Sequence, residues 1–281
     1  MMIKALFFDL DGTLLNSAKQ IPASAREAIT ACRARGVRVF FATARSPRLD
    51  KTLGWTDADF ALFDGGIYAN GACICMDGHT HYSYIHPDAV RACIAAAAAY
   101  EDVHLSLHMP QEGYAFNFPV DASMNRSWGL EQARICAIDE TAIRDTVKVL
   151  IFYDHLTDSV RPLPPSLGET IRQRIGPKAN VYITDEGRTI QISGQDAGKL
   201  KAIERVRQKL GLAVEEVSVF GDDINDLEMI SFYPDSVAMG NAAPQVKAAA
   251  GFVTYANDEG GVAYAISHYS GILNQENGNR P

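Results

Sequence analysis

The sequence predicts a doubly wound α/β fold, a Rossmann-like parallel sheet core into which a separate α+β unit is inserted. Three observations carry this. Residues 3–8, 37–42 and 217–220 are short apolar runs that read as strands buried on both faces, and helical segments lie between them. Such alternation marks a parallel sheet wrapped by helices. Residues 84–190 break the rhythm, with two rounds of helix and paired strands. The polar residues richest in chemistry stand at the ends of the core runs, where open α/β sheets place their ligands.

In chain order, the first strand (residues 3–8) runs into Asp9, Leu10, Asp11, Gly12 and Thr13. Residues i and i+2 leave a strand on the same side, so Asp9 and Asp11 are expected to face one site. Residues 21–35 form a helix. Pro22 suits its first turn, Ala25, Ala28, Ile29 and Cys32 give it one apolar face, and Gly36 ends it. Residues 37–42 are the second strand, ending in Thr43, Ala44 and Arg45. A helix starts at Ser46 and Pro47, and residues 60–63 read as the third strand before Asp64, Gly65 and Gly66. Residues 72–76 and 79–84 form a hairpin about Asp77 and Gly78.

Within the insert, residues 88–100 are an alanine-rich helix and residues 103–108 and 114–118 a hairpin. Residues 121–137 are loosely helical, 147–153 a strand, 165–175 a helix, and 181–184 and 189–192 a strand pair. The core resumes with a helix at 198–210 and a strand at 217–220 that ends in Gly221, Asp222 and Asp223. A helix at 224–230, a strand at 237–239, a helix at 244–250, a strand at 252–254 and a helix at 261–269 follow. Residues 274–281 make a polar tail. The expected division is a core in two segments, 1–83 and 191–281, around an insert at 84–190.

The 281 residues, 47% of them hydrophobic, are enough for one large or two modest domains with a sizeable core. A net charge of −8 argues against a general nucleic-acid binder, which needs basic patches against phosphates. Small phosphorylated ligands need only a few local cations. No apolar run approaches the ~20 residues of a membrane span, and the start reads as too short for a signal peptide. The five cysteines (Cys32, Cys73, Cys75, Cys93, Cys136) lack zinc-type spacing and read as buried thiols of a cytoplasmic protein. His86, His104, His108 and His155 of the insert show no metal spacing either, and Asn125-Arg126-Ser127 is a sequon without meaning in a cytosolic chain.

Carboxylates as close as Asp9 and Asp11 repel unless they share a cation or a proton. That predicts a hard divalent metal and a division of labour, with one acid ionised and the other able to carry a proton. Three further clusters accompany them: Thr43 with Arg45, Lys199, and Asp222, Asp223, Asn225 and Asp226. Singly, each has an ordinary explanation. Asp-Gly is a common turn pair, Thr43 suits a helix cap, Arg45 and Lys199 suit the surface, and acids suit a helix start. Together, at strand ends of one sheet, they converge on one crevice.

The order and spacing of these clusters resemble the haloacid dehalogenase superfamily of phosphotransferases, and within it the Cof-type subgroup. The resemblance rests on Phe8-Asp9-Leu10-Asp11-Gly12-Thr13-Leu14-Leu15, Ala42-Thr43-Ala44-Arg45, Asn70-Gly71-Ala72, and Gly221-Asp222-Asp223-Ile224-Asn225-Asp226-Leu227-Glu228-Met229. It extends through Ala238-Met239-Gly240-Asn241-Ala242 and Asn257-Asp258-Glu259-Gly260-Gly261-Val262-Ala263. The chain departs from the subgroup at Ala44, where glycine is usual, and at Gly198 and Leu200, where serine and glycine flank the lysine.

The resemblance implies a Mg²⁺-dependent phosphatase acting on a small phosphorylated metabolite, sugar phosphates first. Asp9 would be the nucleophile and Asp11 the general acid and base. Asp9, the Asp11 backbone carbonyl and Asp222 would hold Mg²⁺, an oxygen-only set that suits the ion. Lys199 would neutralise Asp9 and a phosphate oxygen. Thr43, Ala44, Arg45, Asn225 and the backbone at Leu10 would bind phosphate, with Asp226 and Thr13 holding the ligands in place. The insert would be a cap that closes over the site. A sugar phosphomutase would use the same aspartyl-phosphate. A receiver-like phospho-acceptor is a more distant alternative, since its lone acidic acceptor ends a middle strand.

Overall fold

The computed structural model describes residues 2–153 and 161–269. His155 and the tail at 274–281 lie outside the described residues. The chain begins β1 (Ala5–Phe8), α1 (Ala23–Ala34), β2 (Arg38–Ala42), two single-turn helices α2 (Leu49–Thr52) and α3 (Asp57–Phe60), β3 (Gly65–Tyr68), β4 (Cys73–Met76) and β5 (His79–Tyr82). It continues through α4 (Pro87–Ala97), β6 (Val103–Met109), β7 (Gly113–Phe116), α5 (Ala122–Ser127), β8 (Arg134–Cys136), α6 (Glu140–Arg144), β9 (Lys148–Tyr153), α7 (Pro165–Ile175), β10 (Ala179–Thr184) and β11 (Thr189–Gly194). It returns through α8 (Lys199–Lys209), β12 (Val217–Gly221), α9 (Leu227–Phe232), β13 (Asp235–Ala238), α10 (Pro244–Ala249), β14 (Phe252–Val253) and α11 (Gly261–His268).

Two sheets result. The core sheet has the order β14-β13-β12-β1-β2-β3-β4-β5. Its strands from β14 to β3 are parallel, and β3-β4-β5 close one edge as an antiparallel meander. β1 is central because every residue of Ala-Leu-Phe-Phe is apolar and buried, as a strand covered on both faces requires. Strand order reverses there, with β2 on one side and β12 on the other, so the crevice beyond Phe8 is the topological switch point.

The third core strand differs from the sequence expectation. Residues 60–63 are not a strand. Asp59 Oδ2 accepts from the Thr56 backbone at 2.7 Å and starts α3 instead. Phe60 and Phe63 then turn inward against Trp55. The strand is β3, which opens on the glycine pair that follows that run. A Cβ on Gly65 would lie 3.2 Å from the Phe40 ring, and one on Gly66 only 2.2 Å from Phe41. Side-chain-free backbone is what lets β3 pass beneath those rings. The helix expected from Ser46 begins only at Leu49 and lasts one turn, and that at 224–230 is a 3-10 turn (Ile224–Asp226) followed by α9. Residues 121–137 hold the short α5, then β8, which pairs parallel with β7.

The second sheet has the order β10-β11-β9-β6-β7-β8. Alternation gives it two faces. Leu105, Leu107, Val149, Ile151, Ile190 and Ile192 pack beneath α4 and α7 in a core of their own. Fully burying each such side chain stabilises by about 1.5–3 kcal/mol. The opposite face mixes polar groups with Leu150, Phe152, Tyr114 and Phe116, and its polar groups reach the core: Lys148 Nζ donates to the Ala44 carbonyl at 2.7 Å, and Asn70 Nδ2 to Gln191 Oε1 at 3.0 Å. Arg48 crosses the same seam, donating to the carbonyls of Gly129 (2.7 Å) and Glu131 (2.6 Å) and pairing with Glu112. It is 1% exposed.

Candidate active site

At the end of β1 the chain turns sharply, with Leu14 N donating to Asp9 O at 3.2 Å and Thr13 N to Leu10 O at 3.4 Å. The strand therefore ends before either acid, and the two carboxylates part. Asp9 is buried and faces Lys199, whose Nζ lies 2.5 Å from its Oδ1. Asp11 turns to Arg45 and Lys19, which donate to it at 2.6 to 2.8 Å. Strand alternation predicted one shared site. The turn that begins at Asp9 makes two adjoining ones.

Lys199 opens α8, and its Nζ also reaches Asp226 Oδ1 at 2.6 Å. Gly198 before it has φ +136°, a left-handed conformation that favours glycine. The departure from serine at this position thus sets the lysine's entry into the helix. Asp222 leaves the end of β12 and accepts from Thr13 Oγ1 at 2.7 Å. Asp226, wholly buried, spends its other oxygen on the backbone of Asp222 (3.0 Å) and Asp223 (3.1 Å), so it fixes that loop and orients the lysine. Asp223 caps the following turn through Ile224 N at 2.8 Å.

Asp9, Asp222 and Asp226 each offer an oxygen within 4.8 Å of the others. Burial, with the charges of Asp226 and Asp222, drives Asp9 well above the ordinary carboxylate range, though Lys199 opposes the rise. Burial and the charge of Asp226 push Asp222 up to about 7. Burial alone would lower Lys199, but Asp226 and Asp9 outweigh it and hold the ammonium above its usual value. Asp11 moves the other way. Burial would raise it, yet the Arg45 fork and Lys19 bring it down to about 2. Asp11 is held ionised by Arg45 and Lys19, while Asp9 is raised by burial and the neighbouring acids against the pull of Lys199.

Thr43 is buried at the end of β2 and accepts from Arg45 N at 3.1 Å. Ala44 carries the carbonyl that Lys148 grips, and Leu10 is fully buried, its carbonyl taking Leu15 N at 2.8 Å. Asn225 sits beside these groups but donates to Asn70 Oδ1 at 3.0 Å, and Asp226 takes the contact with Lys199. Arg45, expected on phosphate, holds Asp11. Sequence reasoning missed Lys19, Arg48, Lys148 and the chain Asn225–Asn70–Gln191 that bridges core and insert. Only Lys148 left a trace, as a single charge at the head of an otherwise apolar strand.

A doubly wound sheet with acids, threonine and lysine gathered at its switch point defines a class, and the chain belongs to the haloacid dehalogenase-like hydrolases, whose family model matches residues 6–266. It is 27% identical over 271 residues to the 5-amino-6-(5-phospho-D-ribitylamino)uracil phosphatase YcsE of Bacillus subtilis, covering 95% of this chain and 96% of that one. It is 25% identical over 296 residues to phosphatase YwpJ of the same organism, covering 95% and 99%. Among solved structures, the HAD subclass IIB sugar phosphatase BT4131 superposes with a TM-score of 0.78 at 26% identity, over 96% of this chain and 99% of that chain.

The five cysteines are free thiols, three of them buried (Cys32, Cys73, Cys93) and two half-buried (Cys75, Cys136), a departure from uniformly buried thiols. Among the described residues no helix is long and apolar enough to cross a membrane.

Proposed function

We propose that the protein is a Mg²⁺-dependent phosphomonoesterase that hydrolyses a small phosphorylated metabolite, a sugar phosphate first, through an aspartyl-phosphate on Asp9. One observation carries the reading: Asp9 is buried at the switch point, against Lys199, with Asp222 and Asp226 beside it. Asp9, Asp222 and Asp226 crowd together with Lys199 as the ammonium paired among them, and the elevated pKa values of Asp9 and Asp222 fit a further cation, for which an all-oxygen donor set suits Mg²⁺. Asp9, the Asp11 carbonyl and Asp222 would hold it. Bound there, the ion offsets repulsion between an anionic nucleophile and an anionic phosphate.

The residues supply the rest. Asp9 attacks phosphorus, and the ester P–O bond breaks as Asp11 gives its proton to the departing alkoxide. Asp11 then takes a proton from water as water attacks the acyl phosphate, the Asp9–phosphorus bond breaks, and free phosphate leaves. Lys199 balances charge on Asp9 and a phosphate oxygen. Thr43, with the backbone at Leu10 and Ala44, orients the phosphoryl group. Thr13 and Asp226 steady Asp222 and Lys199. Arg45 must release Asp11 before that acid can work, and Asn225 supports the Asn70 loop rather than phosphate. Residues 84–190 act as a cap that excludes water over the core segments 1–83 and 191–281. A cytoplasmic setting and no nucleic-acid partner go with this reading.

Acid quenching of a turnover mixture, followed by mass spectrometry of peptides, tests it. Phosphate on the Asp9 peptide is expected. Steady turnover with no phosphate there, in the wild type or in slowed variants, refutes the covalent route. Added sugar bisphosphate, with product analysis, separates hydrolysis from transfer to a second sugar.

A further inference from the structure

Two thiols that the chemistry above does not use lie side by side in β4. Cys73 and Cys75 alternate onto one face of that strand, and their Sγ atoms are 3.8 Å apart. Thr80, opposite Cys75 on β5, brings its Oγ1 to 3.5 Å from that sulfur. The two thiols differ in access. Cys73 is 1% exposed, whereas Cys75 is half-buried. Cys75 lines a cavity of about 350 Å³ whose wall runs from buried Phe41 to exposed Asp77, Gly78 and His79, so it opens to solvent. The hydrogen bonds from Cys73 and Thr80 hold the Cys75 thiol below its usual range against the effect of burial. The same contact, with burial, raises Cys73. An accessible thiolate beside a buried partner thiol is the arrangement of a redox-reactive pair. Cys32 and Cys93 lack it, and burial pushes both of those thiols up.

We propose that Cys73 and Cys75 are a reversible redox site, which low-molecular-weight disulfides convert to an intrachain disulfide that slows phosphoryl transfer. The site stands on the thiol geometry, and its effect on turnover rests on the phosphatase reading. The Cys75 thiolate attacks one sulfur of the small disulfide, a mixed disulfide forms, and the other sulfur departs as thiolate. Cys73 gives its proton to that thiolate and attacks the Cys75 sulfur. The Cys73–Cys75 bond forms, and the second half leaves and takes up the proton that Cys75 had lost. Two electrons pass from the protein to the small disulfide, which ends as two thiols.

Cα atoms two residues apart in a strand are separated by about 6.6 Å, near the top of the ~4.4–6.8 Å that a disulfide spans. Such a bond shortens β4, is strained and is easily reduced again, so it suits a switch rather than a structural cross-link. The shortening lies two residues from the active site. Cys73 pairs with Tyr68 and follows the turn Ala69–Gly71. That turn donates to the Arg45 carbonyl from Ala69 N at 2.8 Å and to the Thr43 carbonyl from Asn70 N at 3.0 Å. Gly71 packs so closely on the Gly198 backbone that no Cβ would fit, and Gly198 sets the entry of Lys199 into α8. Oxidation therefore pulls on the turn that braces both Thr43 and Lys199.

The test incubates the intact protein with Mg²⁺ in glutathione buffers of rising disulfide-to-thiol ratio. Free thiols are then blocked with iodoacetamide for peptide mass spectrometry, and turnover of p-nitrophenyl phosphate is read on the same samples. In the wild type, an internal disulfide in the peptide holding Cys73 and Cys75 is expected, reversed by dithiothreitol. Cys73→Ser stops at a glutathione adduct on Cys75, and Cys75→Ser forms neither product. Melting curves establish that each variant is folded. Turnover is expected to fall about fivefold or more with the disulfide and to recover on reduction, while Cys75→Ser keeps its rate in every buffer. Both thiols alkylated throughout, a wild type that stops at the glutathione adduct, or a disulfide that leaves turnover unchanged overturns the proposal. Absence of metal-dependent turnover by the reduced wild type would instead overturn the phosphatase reading. Amide exchange at residues 69–71 and 198–200 then decides: altered exchange in the disulfide form supports the switch, and unchanged exchange overturns it.

Discussion

Arg45 closes a two-toothed ion pair on Asp11, its Nε 2.6 Å from Oδ2 and its Nη2 2.7 Å from Oδ1. Fork-to-fork geometry of this kind is among the stronger charge-assisted contacts. It holds the proposed general acid ionised, at about 2, with Lys19 assisting. For an alkoxide leaving group the acid must be protonated, so the pair has to open during turnover.

The first prediction follows. Arg45→Ala lets Asp11 rise toward its ordinary value, and the alkaline limb of the pH profile for alkyl phosphates moves up by about one pH unit. Stability changes in a defined window. Because the folded pKa is lowered, the stabilisation is present above the unfolded carboxylate value near 3.9 and is lost as pH falls through about 2. Denaturation between those values loses that component in the wild type and lacks it in Arg45→Ala. An unmoved alkaline limb means that Asp11 is not the acid.

Lys199 is the counter-charge to two buried carboxylates. Lys199→Met leaves Asp9 and Asp226 without it, and breaking such a pair costs about 3–5 kcal/mol. Urea titration near neutrality measures this. Lowering the pH narrows the deficit, since Asp9, already raised by burial, can then neutralise by protonation. A variant as stable as the wild type at every pH would show that the carboxylates have other partners.

Divalent metal belongs where carboxylates are under pressure to protonate. Mg²⁺ should therefore raise the melting temperature of the wild type, by an amount that grows with free ion concentration. Asp222→Asn removes one ligand and should abolish most of the response. An equal rise in both proteins would locate the ion elsewhere.

Arg48 ties the core to the insert with its guanidinium fully enclosed. Arg48→Ala abandons two carbonyls and the partnership with Glu112, at a cost of about 2–4 kcal/mol. Amide exchange around residues 129–131 should accelerate more than exchange in β1. Uniform acceleration across both regions would mean that the arginine supports the whole fold rather than the seam.

Much of this was legible in the sequence. Asp9, Asp222 and Lys199 announce themselves through position, each at a strand end or helix start of one alternating pattern. What escaped depends on register and tertiary contact. Residues 60–63 carry an apolar run that fits a strand or the flank of a helix, and only the rings of Phe40 and Phe41 over Gly65 and Gly66 decide between them. His108 and Ser193 become neighbours of Lys148 through pairings across 40 and 45 residues of chain, which local periodicity does not encode. The divergence of Asp11 from Asp9 comes from a turn that starts at Asp9, where strand alternation assumes extended backbone through Asp11.

The most direct test measures hydrolysis of p-nitrophenyl phosphate by wild type and Asp9→Asn, each with Mg²⁺ and with chelator. The account predicts turnover only by the wild type with metal, and a fall of about a thousandfold or more in the variant. Equal rates for the two proteins would contradict it, because Asp9 would then not be the nucleophile.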